Sequence, residues 1–154
     1  MHIVLDLQAC QSPESRRRGI GRYSLALAKA MTRHPRGHDF TVLLNAAMGE
    51  SIEYLRGQFD DLLPQCRLVT WDALSPTSFV DPANGFRRVA SEVVRMQALR
   101  RLKPDMVHVA SLFEGLADGV VGTLPAGETY LSSVTLYDLI PLAQQEIYLR
   151  EPLV

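Results

Sequence analysis

The residues best suited to chemistry fall in three polar stretches. The first, RRRGIGRYSLALAKAM (16–31), sets Arg16, Arg17, Arg18 and Arg22 around the pair Gly19 and Gly21. Glycines let a backbone approach a ligand closely. A helix starting there turns free N–H groups and its positive dipole end outward, and arginines add charge-assisted hydrogen bonds. That combination suits a phosphate. It equally describes a basic strand-to-helix turn, because the spacing is neither G-x-x-x-x-G-K-[ST] nor the three-glycine dinucleotide fingerprint. The second stretch, SVTLYDLIPL (133–142), puts Tyr137 and Asp138 where a strand ends. They serve there either as ligand contacts or as a packed phenol and a turn cap. In the third, HVASLFEGL (108–116), Glu114 beside Gly115 faces the same crevice or is an ordinary surface carboxylate.

Other polar residues carry less. His108 lies inside a strand and reads as a satisfied core histidine. Asp6, among apolar neighbours, either faces the crevice or pairs with adjacent backbone. His34 and His38 belong to a helix-to-strand turn and are not metal ligands.

The elements that must position these groups follow from periodicity. HIVLDLQ (2–8), DFTVLLN (39–45), CRLVTW (66–71), DMVHVAS (105–111) and TYLSSVTLYDL (129–139) read as strands. Residues 19–34 predict a helix with an apolar stripe of Ile20, Tyr23, Leu27 and Met31. Residues 49–63 predict another, through Ile52, Leu55, Phe59 and Leu63. A third, 86–103, stops before Pro104, and the last dozen residues read as a short helix. Strand–helix alternation with continuous apolar strands implies an α/β fold. The expectation is a doubly wound, Rossmann-like, mostly parallel sheet with helices on both faces. Ligands then gather beyond the carboxyl ends of the strands, where all three polar stretches lie.

With 154 residues, 47% hydrophobic and 21% charged, the chain has the composition of one globular domain. Its net charge of −1 argues against a dedicated nucleic-acid partner. The arginines nevertheless cluster: Arg16–Arg18 and Arg22 at the first turn, and Arg87, Arg88, Arg95, Arg100 and Arg101 around a helix, read as a solvated face. Two cysteines without a C-x-x-C pair suggest a reducing compartment. The opening MHIVLDLQ is too short, and has the wrong flanks, to read as a signal peptide, and no apolar run in these 154 residues approaches membrane-spanning length. The reading is cytoplasmic, with peripheral contact at the inner face of the plasma membrane left open.

RRRGIGRYSLALAKAM after a short strand, then DMVHVASLFEG (105–115), then VTLYDLIPL (134–142) resemble, in that order, the N-terminal domain of family 4 glycosyltransferases. These are retaining enzymes of the two-Rossmann-domain GT-B type, common in bacterial polysaccharide and lipopolysaccharide assembly. The resemblance implies that 1–154 is the acceptor-side domain of such a pair, cut before a C-terminal donor-binding domain, and inactive alone. It implies transfer of a hexose, mannose among the candidates, from a nucleoside-diphosphate sugar to a polysaccharide or lipid-linked acceptor. No resident cofactor or metal is implied. Gly19, Gly21 and Arg22 match the family's phosphate-facing loop. Tyr137 and Asp138 match a His-Asp pair near the transferred sugar, with tyrosine replacing histidine here. Glu114 matches an acceptor-contacting carboxylate. Arg16, Arg17 and Arg18 would meet an anionic acceptor or an anionic bilayer, or would remain a solvated loop.

Two other readings compete. A stand-alone flavodoxin-like or regulatory α/β domain without catalysis would want a lysine near strand five, but the only lysines are Lys29 and Lys103. A nicotinamide oxidoreductase would want an acidic residue ending strand two, where Asn45 stands.

Overall fold

The computed structural model describes residues 1–112, 114–123, 127–137, 143, 144 and 146. Among the described residues five parallel strands form one sheet: β1 (His2–Asp6), β2 (Asp39–Asn45), β3 (Leu68–Trp71), β4 (Met106–Val109) and β5 (Leu131–Val134). Their spatial order is β3-β2-β1-β4-β5. Ile3 faces Phe40 on one side and Met106 on the other, placing β1 at the centre. The helices are α1 (Gln8–Gln11), α2 (Gly19–Arg33), α3 (Ile52–Phe59) and α4 (Gly85–Leu102). The domain is the doubly wound α/β sheet expected from the alternation.

Period-two alternation splits the core in two. Ile3, Leu5, Phe40, Val42 and Leu44 pack on one face with Leu55 and Phe59 of α3 and Leu25 and Met31 of α2. Val4, Leu43, Trp71, Val107 and Val109 pack on the other with Leu99, Ala98 and Leu102 of α4. Because the order of strand addition reverses between β1 and β4, their carboxyl ends form the switch point where such folds open a crevice. Among the described residues no helix is long and apolar enough to cross a membrane.

Several sequence expectations need correction. Between β1 and α2 the chain inserts α1 and a run of turns, so it does not bend directly at the glycines. The buried stripe of α2 is Gly21, Ser24, Ala28 and Thr32, while Tyr23 of the expected stripe is 47% exposed. Small side chains bring α2 close to the sheet, and the Ser24 hydroxyl donates to the Ala110 carbonyl at 3.2 Å. The third helix is shorter than 49–63, entered through a 3₁₀ segment at Ala46–Ser51. β5 ends at Val134, three residues before Tyr137. Asp138 and most of the expected terminal helix lie outside the described residues. Finally, α4 is no uniformly solvated face: Arg95 is 1% exposed.

Candidate functional site

A buried polar network forms the floor of the carboxyl edge. Asp6 ends β1 on the α4 side of the sheet, and Arg95 reaches it from α4. Nε donates to Oδ2 at 2.7 Å, and Nη2 makes an ion-pair contact with the same oxygen at 2.6 Å. The Arg95 Nη1 donates to the Thr123 carbonyl at 2.7 Å. Asp6 also accepts from the Gln8 backbone N–H at 3.2 Å and from Gln8 Nε2 at 3.1 Å, which fixes the start of α1. Gln8 in turn holds Val121 through both its carbonyl and its N–H, at 3.0 Å each. Gln11 accepts from the Asn45 N–H at 2.6 Å and donates to the Asn45 carbonyl at 3.0 Å. Apart from the Arg95 Nη2, which has the ion-pair contact but no hydrogen bond, the buried amides and charges are paired, and such pairing rigidifies what it joins. Here they tie the segments after β1, β2 and β4 into one unit.

Hydroxyl–carboxylate bonds continue the tie. Ser12 donates to Asp118, and Ser15 to Glu114. Ser111 donates to the other Glu114 oxygen at 3.1 Å. Glu114 therefore sits at the crevice with both oxygens held by serines. Cys10, inside this region, has its thiol pushed up to about 12, first by burial and then by the negative charges of Asp6 and Glu114. It is no nucleophile near neutral pH. His108 bonds the Ser133 and Thr135 hydroxyls at 2.9 and 3.1 Å, and burial lowers its pKa. It is a satisfied strand histidine, as its position in the sequence suggested. Among the described residues no three His, Cys, Asp or Glu side chains gather as a metal site.

The glycine turn lies at this edge, and the chain itself fills the space beside both glycines. Gly21 is buried, its N–H donates to the Ser15 carbonyl at 3.2 Å, and a Cβ there would lie 2.6 Å from the Arg16 Cα. Gly19 faces Tyr137: a Cβ would lie 3.3 Å from the ring Cζ and closer still to the phenol oxygen. The Tyr137 ring in turn packs on Tyr23, centroids 5.6 Å apart. Among the described residues the N–H groups of Gly19 and Ile20 meet no acceptor. The first turn of α2 thus offers two free donors with the Tyr137 phenol alongside and Arg22 exposed on the same turn. Four orphan N–H groups are normal at a helix start, and they suit an anion.

The arginines separate. Arg18 pairs with Glu14 at 3.5 Å. Arg16 and Arg17 line a hollow of about 360 Å³ with Glu50, Ser51 and Tyr54. A second hollow, about 310 Å³, shares Arg16 and Glu50 and runs on to Ser75, Asp118 and Gly119. Sequence reasoning missed Glu50 and Tyr54. Their only signal was position after β2 on the carboxyl edge, which an amphipathic helix pattern conceals.

A 3-2-1-4-5 parallel sheet whose second helix opens at the switch point defines a Rossmann-like α/β domain. Along its length the chain is similar to part of an Escherichia coli protein named serotype-specific mannosyltransferase WbdA, with 34% identity over 154 residues, 99% of this chain. Two further Escherichia coli proteins of that name are 30% and 29% identical over 128 residues, 82% of this chain. The chain spans only 18% of the length of the first and 16% of the others. No family model and no solved structure matches it.

Proposed function

We infer that this chain is the acceptor-side domain of a glycosyltransferase that moves mannose, or another hexose, onto a polysaccharide or lipid-linked acceptor. The observation that carries this reading is the 34% identity running along 99% of the chain to part of a named mannosyltransferase. The resemblance of the three polar stretches to family 4 enzymes extends the proposal to a retaining, GT-B arrangement. In it a nucleoside-diphosphate sugar lies between this domain and a donor-binding partner domain. The work then takes place in the cytoplasm, at the membrane's inner face where the acceptor is lipid-linked.

The proposed chemistry follows from the edge geometry. As the sugar leaves the diphosphate, negative charge builds on the departing phosphate while the anomeric carbon becomes oxocarbenium-like. Fixed donors aimed at that charge lower the barrier because they need no reorganisation as it develops. In this reading the Gly19 and Ile20 N–H groups and the Arg22 guanidinium meet the phosphate. The Tyr137 hydroxyl donates to phosphate or sugar, since a phenol O–H is a ready donor. Asp138, next in the sequence and the acidic half of the pair, accepts from a sugar hydroxyl in this reading. The acceptor hydroxyl attacks the face from which the phosphate leaves and passes its proton to that phosphate, preserving anomeric configuration without a protein nucleophile.

The test is transfer by the full-length polypeptide from nucleoside-diphosphate mannose to a mannose-terminated acceptor, with the product anomer read by NMR. Retained configuration and a tenfold or greater loss of kcat in Arg22→Ala are expected. Inverted product would refute the retaining mechanism. No transfer from any nucleoside-diphosphate hexose would refute the function.

A further inference from the structure

The double hollow beside the glycine turn has a chemistry of its own. Its walls come from the segment after β1, which carries Arg16 and Arg17, and from the Ala46–Ser51 turn with the first turn of α3, which carry Glu50 and Tyr54. Gln11 fixes one wall to the other: its Nε2 donates to Met48 O at 3.4 Å and Ser51 Oγ at 3.2 Å, in addition to Asn45. Ser51 closes that turn by donating to Met48 O at 2.8 Å. The groove is therefore built on the rigid floor rather than on loose loops. Tyr54 is 58% exposed. Among the described residues the Arg16, Arg17, Glu50 and Tyr54 side chains have no hydrogen-bonding or ionic partner, whereas Arg18 and Asp118 are already engaged.

The mixture of charges selects the ligand. A polyanion such as a lipid diphosphate wants a surplus of cations, yet Glu50 is shared by both hollows and Asp118 lies at the far end. An apolar ligand wants an enclosed pocket free of charge, whereas this one is open to solvent on one side and has Arg16, Arg17 and Glu50 on its walls. A neutral polyhydroxyl ligand wants donors, acceptors and a flat aromatic face together, which Arg16, Arg17, Glu50 and Tyr54 supply. Each hollow also falls within the range of about 300–1,000 Å³ typical of small-ligand sites.

We propose that this groove binds a neutral saccharide segment of the acceptor across two subsites divided by Arg16 and Glu50, with Tyr54 stacking on a sugar face. The proposal rests on the glycosyltransferase reading and specifies the acceptor side of it. Glu50 accepts from sugar hydroxyls while Arg16 and Arg17 donate to ring and hydroxyl oxygens. Tyr54 carries the apolar contact that distinguishes a sugar from a small polar solute.

The experiment titrates the full-length protein with a mannose disaccharide and trisaccharide, the product-like probes, following binding by calorimetry and saturation-transfer NMR. Tyr54→Ala should weaken binding about tenfold, the loss expected for removing one aromatic contact. Tyr54→Phe should stay within about twofold, since the ring is kept, and Glu50→Gln should weaken binding about threefold. Tyr54 and Glu50 are exposed, so these variants should fold, and unchanged thermal unfolding would confirm it. The trisaccharide should bind more tightly than the disaccharide because it reaches both subsites. Equal affinity of wild type and Tyr54→Ala overturns the groove assignment, as does pyrophosphate displacing the saccharide or no detectable saccharide binding. The glycosyltransferase reading falls separately, to the absence of sugar transfer: normal transfer with an unchanged acceptor KM in Tyr54→Ala would sink the groove and spare the enzyme.

Discussion

Replacing Arg95 by methionine isolates the contribution of the buried network beneath the carboxyl edge. The change keeps side-chain length and apolar volume but leaves the Asp6 carboxylate, 2% exposed, without its cation. It also removes the donor to the Thr123 carbonyl. Breaking one partner out of a buried pair costs about 3–5 kcal/mol, because the remaining charge is desolvated and uncompensated. For a domain of this size each kcal/mol moves Tm by about 2–4 °C, so a fall of about 10 °C is expected. The single tryptophan, Trp71, is a convenient probe. It lies buried in the cluster that includes Leu99 of α4. Its fluorescence should report thermal unfolding directly. A second arm, Asp6→Asn with Arg95→Met, removes the stranded charge while an amide oxygen still accepts from Gln8. The double variant should be more stable than Arg95→Met alone. If Arg95→Met melts within about 2 °C of wild type, the pair is not a keystone and the rigid-floor argument fails.

Two further perturbations bear on the same edge. Gly21→Ala pushes a methyl group into the Ser15–Arg16 backbone and should destabilise by about 1–3 kcal/mol in urea titration. Gly19→Ala meets only the movable end of Tyr137; it should leave stability within about 1 kcal/mol while shifting the Tyr137 ring resonances. Equal stability of the two variants would refute the distinction. Burial holds His108 below its ordinary value near 6.5, so the folded state binds its proton less readily than the unfolded state. The sign is then fixed: stability is full above that value and falls as pH drops below it. His108→Gln should flatten this loss in unfolding titrations between pH 7 and 5, and an unchanged slope would assign it to other groups.

Much of the architecture was legible because it rests on local signals. Alternating apolar strands and amphipathic helices are statements about which face is buried, and they gave five parallel strands with helices on both sides. The helix start at Gly19 was likewise located, since it is a local property, although Gly19 and Gly21 sit in ordinary helical backbone and answer to lack of space rather than to conformational freedom. Arg95 was misread for the same reason. Its neighbours Arg87, Arg88, Arg100 and Arg101 suggest a wet helix, and only the approach of Asp6 from 89 residues away in sequence makes a buried cation tolerable. The packed face of α2 was misread because Gly21, Ser24, Ala28 and Thr32 score as weakly apolar, although small residues are what close packing against a sheet requires.

The sequence by itself determined the periodicities, the order of elements and the chemical types available at each strand end. Those follow from bonds and sterics within a few residues. Tertiary structure alone decided which groups are consumed and which stay free. Glu114 spends both oxygens on Ser15 and Ser111, while Arg16, Arg17, Glu50 and Tyr54 come together around an open groove. Such pairings depend on Coulomb and hydrogen-bond geometry between segments that meet only after the sheet has formed, and no local pattern encodes them.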